Sequence, residues 1–231
     1  MLTLSRFNPT FQNMTDDRKS ALALIAGMTG SIITMAFHPH GAISAEQFDA
    51  IARLNVAVHA LALFCTPIIF LGTLGVTQRL ASRNRLALSA LVFFGFADVG
   101  VMIAATASGL LMTGLMHHAH DATPNTVDSY RAALQLVGHI NQSFALIFVV
   151  ASSIAITLWS VAILRGTTFA RALGTYGCIL GPITVLAVLS GHIRLNVHGF
   201  GLIILGQAAW FIVAGVQLWR KNQGGEAEVP A

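Results

Sequence analysis

Six long apolar runs constrain this sequence more than any other feature. About 20 helical residues cross the hydrocarbon core of a bilayer, so runs of about 18 or more apolar residues are typical of transmembrane helices. The runs cover residues 20–37, 52–77, 87–114, 132–164, 170–190 and 197–219. Only 10% of the 231 residues are charged, whereas soluble domains carry about 25%. The sequence therefore predicts an all-α, polytopic membrane protein, a bundle of six transmembrane helices.

Short connections between these runs predict a single membrane domain, residues 20–219. A cytoplasmic N-terminal segment (1–19) precedes it, and a Gly- and Glu-rich cytoplasmic tail (220–231), predicted to be disordered, follows it. The long polar lead favours an uncleaved first span over a signal peptide. Small residues four apart, at Ala26 and Gly30 and at Gly177 and Gly181, favour close helix packing.

Basic residues predict the orientation of the bundle. Ten of the thirteen lysines and arginines lie before the first span, after the second, after the fourth and after the sixth. The positive-inside rule makes this side cytoplasmic, with both termini inside, in a bacterial-type inner membrane. Trp159 and Trp219 are predicted to join the aromatic belt on that side. Topology thus accounts for the net charge of +4, and the sequence carries no nucleic-acid-binding motif.

Three arginines remain for the outer face, and each opens a span that runs inward. A histidine follows each of them within eight residues. The pairs are Arg53 and His59, Arg131 and His139, and Arg194 and His198. All nine histidines fall in the outer half of this topology. Because imidazole is the commonest metal ligand and titrates near neutral pH, an outward-facing metal, haem or proton-linked site is one hypothesis.

Polar side chains near these histidines predict a cavity between spans two, three, four and six. Residues four apart share a helix face, which places Asn55 beside His59 and Gln135 beside His139. Asp98 is the only acid inside a predicted span, and such a position marks a candidate functional site. His59 and His139 are the candidate ligands or proton carriers. The remaining predicted lining is Arg53, Asn55, Asp98, Arg131, Gln135, Gln142, His192, Arg194 and His198.

The end of the third span offers a copper alternative. Met112 and Met116 lie one helical turn apart, and His117, His118 and His120 follow them. Thioethers combined with imidazoles suit copper(I), although methionine on a membrane helix also serves as a flexible core filler.

A b-type haem is another alternative, because two histidines at equal depth in a bundle can ligate one haem from both faces. His59 and His139 would be the axial ligands, with the outer arginines near the propionates. Six spans in a chain of this length resemble the cytochrome b561 group, which implies haem binding. That group carries histidines for two haems, whereas the inner half of this chain has none, so at most one haem fits.

A zinc-dependent hydrolase similar to the membrane ceramidases is a further alternative. His192 and His198 flank a tight outer turn and are candidate zinc ligands. Neither an H-x-x-x-H nor an H-E-x-x-H helix pattern accompanies them.

The second half of the chain resembles uncharacterised six-span bacterial membrane proteins. The similar segments are Leu158–Arg165, Arg171–Gly174 and Trp210–Arg220. This resemblance implies a fold class and no activity. The leading functional prediction is the handling or sensing of a small solute, ion or metal, with the lipid bilayer and an unidentified small ligand as partners.

Overall fold

The computed structural model describes residues 9–39, 48–82, 84–120, 122–166 and 168–223. All regular structure in these ranges is helical. The elements are α1 (Pro9–Ala36), α2 (Phe48–Ala81), α3 (Leu86–Ala105), a π-helical segment (Thr106–Leu111), α4 (Met112–His120), α5 (Val127–Leu164), α6 (Arg171–Leu189) and α7 (Val197–Gln223). Helix α3, the π-helical segment and α4 continue without a break. The tail predicted to be disordered, 220–231, is helical as far as Gln223, where α7 ends, so the prediction is wrong for residues 220–223. Residues 224–231 lie outside the described ranges.

Six of the helical stretches are long and apolar enough to cross a membrane, which confirms the predicted all-helical architecture with six candidate spans. Several helices extend beyond the apolar runs. The second predicted span, 52–77, lies within α2, and α5 begins at Val127 rather than at residue 132. Backbone hydrogen bonding continues into the polar flanks, because a polar side chain ends an apolar run without ending a helix. At about 1.5 Å per residue, α5 is roughly 57 Å long.

Glycines permit the close contact between α1 and α2. A Cβ atom at Gly27 would overlap Ile69, and one at Gly30 would overlap the Cys65 sulfur. Gly30 of the predicted small-residue pair therefore lies in a helix interface. Its predicted companion Ala26 is exposed, so the close approach uses Gly27 instead.

The small-residue pair on α6 lies entirely within an interface. A Cβ atom at Gly177 would overlap the Ser160 hydroxyl of α5, and one at Gly181 would overlap the Thr157 hydroxyl and approach the Ser153 carbonyl. Close packing of this kind is expected where small residues let two membrane helices approach.

Aromatic side chains fill the core near one end of the bundle. Trp159 and Trp210 stack with ring centroids 5.8 Å apart, and Phe211 meets the edge of Trp210 at 5.1 Å. The Trp159 Nε1–H donates to Thr77 Oγ1 at 3.1 Å, and the Trp210 Nε1–H donates to Ser160 Oγ at 3.0 Å. Trp159 is fully buried, so its predicted place in a lipid-facing belt is wrong.

The two ends of the bundle differ in chemistry. At one end, Arg79 Nε donates to Asp17 Oδ2 at 2.8 Å, tying α2 to α1. The Arg18 guanidinium lies 5.9 Å from the ring centroid of Trp219 on α7. We call this the basic end. The opposite end, where α1, α4 and α6 finish, we call the histidine end. Its described histidines are His38, His59, His117, His118, His139, His192 and His198.

Candidate functional site

Two adjoining cavities lie inside the bundle. The outer cavity, at the histidine end, has a volume of about 290 Å³, and the inner cavity, nearer the middle, has about 70 Å³. They share five lining residues, Thr34, Met35, Ala62, Val101 and Phe200. The inner cavity therefore continues the outer one toward the centre of the bundle. Helix α1 contributes to both, in addition to the four spans named by the sequence prediction.

His59 and His38 lie side by side in the wall of the outer cavity. Their ring centroids are 4.9 Å apart, with the planes at 71°. The His59 Nδ1 atom is 2.7 Å from the Asn55 carbonyl oxygen, and His38 Nδ1 is 3.0 Å from the Pro39 carbonyl oxygen. A carbonyl oxygen only accepts, so each Nδ1 carries the hydrogen and donates it. In neutral His59, the Nε2 atom then keeps a lone pair.

The π-helical segment packs its backbone against His59. A Cβ atom at Gly109 would overlap the Cβ and Cγ atoms of His59. Asn55 Nδ2 donates to the Ser108 carbonyl oxygen at 3.0 Å and to Thr113 Oγ1 at 2.9 Å. π-Helical turns insert one extra residue into a helix and are frequent at functional sites. Here the segment, which is part of the third span, packs against α2 beside His59.

The opposite wall of the outer cavity comes from α5 and the α6–α7 connection. Gln142 Nε2 donates to the Leu195 carbonyl oxygen at 3.2 Å. Asn196 Oδ1 accepts from the Gly199 backbone N–H at 2.9 Å and caps the start of α7. Asn141 also lines this wall. The described lining of the outer cavity holds imidazoles, amides and hydroxyls, and no Asp, Glu, Lys or Arg.

Asp98 on α3 lies in the wall of the inner cavity. Its side chain is 8% exposed, and its Oδ2 atom has no hydrogen-bond partner in the described part of the protein. Gln207 on α7, 2% exposed, lines the same cavity. Its Nε2 atom donates to Ser152 Oγ at 2.8 Å and to Ser153 Oγ at 3.4 Å. A buried carboxyl oxygen without a donor costs free energy unless a ligand or a proton satisfies it.

Two of the predicted outer arginines line separate open grooves at the histidine end. Arg53 lies in a groove with His117, between α2 and α4. Arg194 lies in a second groove with His192 and His198, at the α6–α7 connection. The structure therefore places these five side chains outside the two adjoining cavities.

The four polar residues predicted to line the cavity from the fourth span do not all reach it. Gln142, Gln135 and His139 are all exposed, and of the three only Gln142 lines the described wall of the outer cavity. Arg131 is also exposed and pairs with Asp128, with Nη1 2.7 Å from Oδ1. The histidine that contacts His59 in the cavity wall is His38. Axial ligation of a haem by His59 and His139 stays a prediction.

The residues of the copper alternative lie on and after α4. Met112 and Met116 are half-buried, and His117 and His118 are exposed. The His118 ring stacks on Tyr130 at 6.3 Å between centroids. The His120 side chain lies outside the described part of the chain, and the copper role stays a prediction.

Across the described ranges, no group of three or more His, Cys, Asp or Glu side chains is arranged to hold a metal ion. The zinc hydrolase alternative likewise stays a prediction. Comparisons with protein-family models, with characterised proteins and with solved structures found no match. The cavity geometry is therefore the basis for a functional proposal.

Gln207 and His38 are among the cavity residues that were missed from the predicted site. Gln207 is a lone amide in the middle of the sixth apolar run, a signal that the sequence does contain. His38 was visible as a residue at the end of the first span, but its contact with His59 depends on how α1 and α2 pack. Helix α1 carries no acid or base inside its apolar run, and so gave no sign that it lines a cavity.

Proposed function

We propose that this protein is a multi-pass protein of a bacterial-type inner membrane that binds a small solute in the adjoining cavities and handles or senses it. Both termini are cytoplasmic, and the outer cavity opens on the opposite side. The observation that carries this proposal is a cavity, lined in part by polar side chains, that leads from the histidine end to Asp98. Asp98 is a buried carboxyl group whose Oδ2 atom has no hydrogen-bond partner in the described part of the protein.

Exposed apolar side chains support a bilayer around the bundle. Phe64, Val92 and Leu186 are 67%, 73% and 67% exposed on three different helices. Water-soluble monomers rarely expose large contiguous apolar patches. In a membrane these faces contact lipid chains, which are as apolar as the side chains themselves.

The contacts at the basic end support the orientation. Asp17–Arg79 and Arg18–Trp219 bring together the basic flanks of α1, α2 and α7. Arginine and lysine are enriched on the cytoplasmic side of membrane proteins. The histidine end and the mouth of the outer cavity then face away from the cytoplasm.

The size and lining of the outer cavity support solute binding over plain helix packing. Protein interiors are close-packed, with few voids larger than a water molecule. A volume of about 290 Å³ approaches the roughly 300–1,000 Å³ of small-molecule sites. Imidazole, amide and hydroxyl groups converge on this volume, and such groups orient a bound solute.

Cysteine labelling in lipid nanodiscs tests this proposal. Ser108→Cys faces the outer cavity, and Leu111→Cys, on the same helix, is 51% exposed on the outside of the bundle. Both are placed in a background with Cys65→Ala and Cys178→Ala, which removes the native thiols. A charged, water-soluble methanethiosulfonate reagent should modify Ser108→Cys much faster than Leu111→Cys, because thiolates form in water and not in hydrocarbon. Equal rates, or faster reaction at Leu111→Cys, would overturn the proposal.

A further inference from the structure

We propose that the inner cavity binds a small organic ammonium ion, with the Asp98 carboxylate as its counter-ion. This inference rests on the proposed function, because it names the class of solute that the adjoining cavities take. It follows from three properties of the inner cavity: the direction of its hydrogen bonds, its apolar walls and its size.

The hydroxyl groups that line the inner cavity donate their hydrogens to backbone carbonyl oxygens of their own helices. Ser31 donates to the Gly27 carbonyl oxygen at 3.1 Å, and Thr34 donates to the Gly30 carbonyl oxygen at 3.1 Å. Thr66 donates to its own helix in the same way, at 2.9 Å. Each hydroxyl carries one hydrogen. Ser31, Thr34 and Thr66 can therefore offer a ligand only lone pairs.

Gln207 adds no spare donor. The two hydrogens of its amide nitrogen are directed at Ser152 and Ser153 on α5. An ionised Asp98 accepts hydrogen bonds and donates none. With Asp98 ionised, the polar side chains of the inner cavity are therefore acceptors that lack donors, and the complementary ligand is one that brings N–H hydrogens and a positive charge. Carboxylates, phosphates and halide ions do not meet this requirement.

The remaining wall distinguishes an organic cation from a metal ion. Phe94, Phe148 and Phe200 line the inner cavity, together with Met28 and Met35. Aromatic faces attract ammonium groups through cation–π contacts. Calcium and magnesium require about six or more oxygen ligands, which this mostly apolar wall does not supply. A carboxylate among aromatic and thioether groups instead suits an ammonium group that carries a small alkyl substituent.

The volume limits the size of the ligand. A water molecule occupies about 30 Å³ of liquid, so a cavity of about 70 Å³ admits a ligand of a few heavy atoms. The outer cavity gives access, since the two share Ala62 and Val101. His59 lines this outer cavity, and in its neutral form the Nε2 atom is an acceptor, because Nδ1 donates its hydrogen to the Asn55 carbonyl oxygen.

A thermal-shift titration tests the inference on the full-length protein in lipid nanodiscs. Ethylammonium chloride is the probe, because a ligand that binds the folded state raises the unfolding midpoint. Sodium chloride, ethanol and tetramethylammonium chloride are the comparison solutes. Sodium chloride supplies a charge without N–H donors, and ethanol supplies hydrogen bonding without a charge. Tetramethylammonium chloride supplies an organic cation without N–H donors. We expect stabilisation by ethylammonium alone at matched concentrations.

Asp98→Asn should weaken ethylammonium binding by about 10- to 100-fold, because it removes a charge-assisted hydrogen bond. Asp128→Asn, on the exposed start of α5, is the matched control and should bind as the parent does. Equal binding by sodium or tetramethylammonium, or unchanged binding by Asp98→Asn, would overturn the inference. If Ser108→Cys is labelled while ethylammonium fails to bind, the inference fails and the proposed function stands. If Ser108→Cys is not labelled, the proposed function itself fails.

Discussion

Asp98 and Gln207 show what a single polar residue does inside an apolar bundle. Gln207 directs its amide hydrogens at Ser152 and Ser153 and so ties α7 to α5. In the described part of the protein, the Oδ2 atom of Asp98 has no hydrogen-bond partner, although the residue is buried, with only 8% exposed. Polar groups buried in protein are nearly always satisfied. This unsatisfied oxygen beside a cavity is the reason why we propose a ligand at Asp98.

Replacing Asp98 should stabilise the ligand-free protein. Asp98→Asn removes a buried acidic group, so the free energy of unfolding should rise by about 1–2 kcal/mol. Asp128 is exposed and pairs with Arg131, so Asp128→Asn should change the free energy of unfolding by less than about 1 kcal/mol. Denaturation of both variants in detergent without added amine provides the measurement. A clear loss of stability in Asp98→Asn would assign Asp98 to packing instead.

Some site residues were predictable because their signal lies within one segment. Asp98 stood out as the only acid in a predicted span, and Gln142 as a polar residue on the same span as His139. The contact between His38 and His59 was not predictable, since it joins the end of α1 to α2. The same holds for His139, whose exposure on α5 depends on which helices pack beside it.

The π-helical segment is the least expected element of the fold. Apolarity and length predicted the third span as one continuous helix, and neither property marks a change of helical pitch. In the structure, Thr106–Leu111 carries Gly109 against His59 and offers the Ser108 carbonyl oxygen to Asn55. The π-helical segment thus helps to position His59 in the wall of the outer cavity. It does so through contacts with α2, a different element, which the sequence of the third span alone does not reveal.

A pair of glycine substitutions tests the role of this segment. A Cβ atom at Gly109 would overlap His59, so Gly109→Ala should lower the free energy of unfolding by about 1–3 kcal/mol. A Cβ atom at Gly114 on α4 would lie in open space, as far as the described residues show. Gly114→Ala should therefore raise the free energy of unfolding by about 0.5–1 kcal/mol, through helix propensity alone. Chemical denaturation of both variants measures the difference. Similar effects in the two would contradict close packing of Gly109 on His59.

The whole molecule is polarised from end to end. Sequence patterns predicted this polarity, because basic and histidine residues alternate between successive connections. They did not predict that the basic end holds a largely buried ion pair. Asp17 and Arg79 are far apart in sequence, and their side chains are 8% and 35% exposed. Their pairing joins α1 to α2 at the basic end, and the contact between His38 and His59 joins the same two helices at the histidine end.

Two neighbouring acids test this ion pair. Asp17→Asn leaves Arg79 without its partner and should lower the free energy of unfolding by about 1–3 kcal/mol, since the pair is partly shielded from water. Asp16→Asn removes the exposed pair with Lys19, 3.6 Å apart, and should cost about 0–1 kcal/mol. Thermal unfolding of the two variants under identical conditions gives the comparison. Equal losses would show that the Asp17–Arg79 pair contributes no more than a surface contact.

The direct test of the central claim is the sidedness of access to Ala62, where the outer and inner cavities meet. Ala62→Cys, without the native cysteines, is treated with a membrane-impermeant thiol reagent in right-side-out and in inverted vesicles. Phe64→Cys, on the outside of the same helix, is the control. Labelling of Ala62→Cys in right-side-out vesicles, with little reaction in inverted ones or at Phe64→Cys, is the predicted result. Labelling of Ala62→Cys only in inverted vesicles, or in neither, would contradict a cavity that enters the membrane from the histidine end.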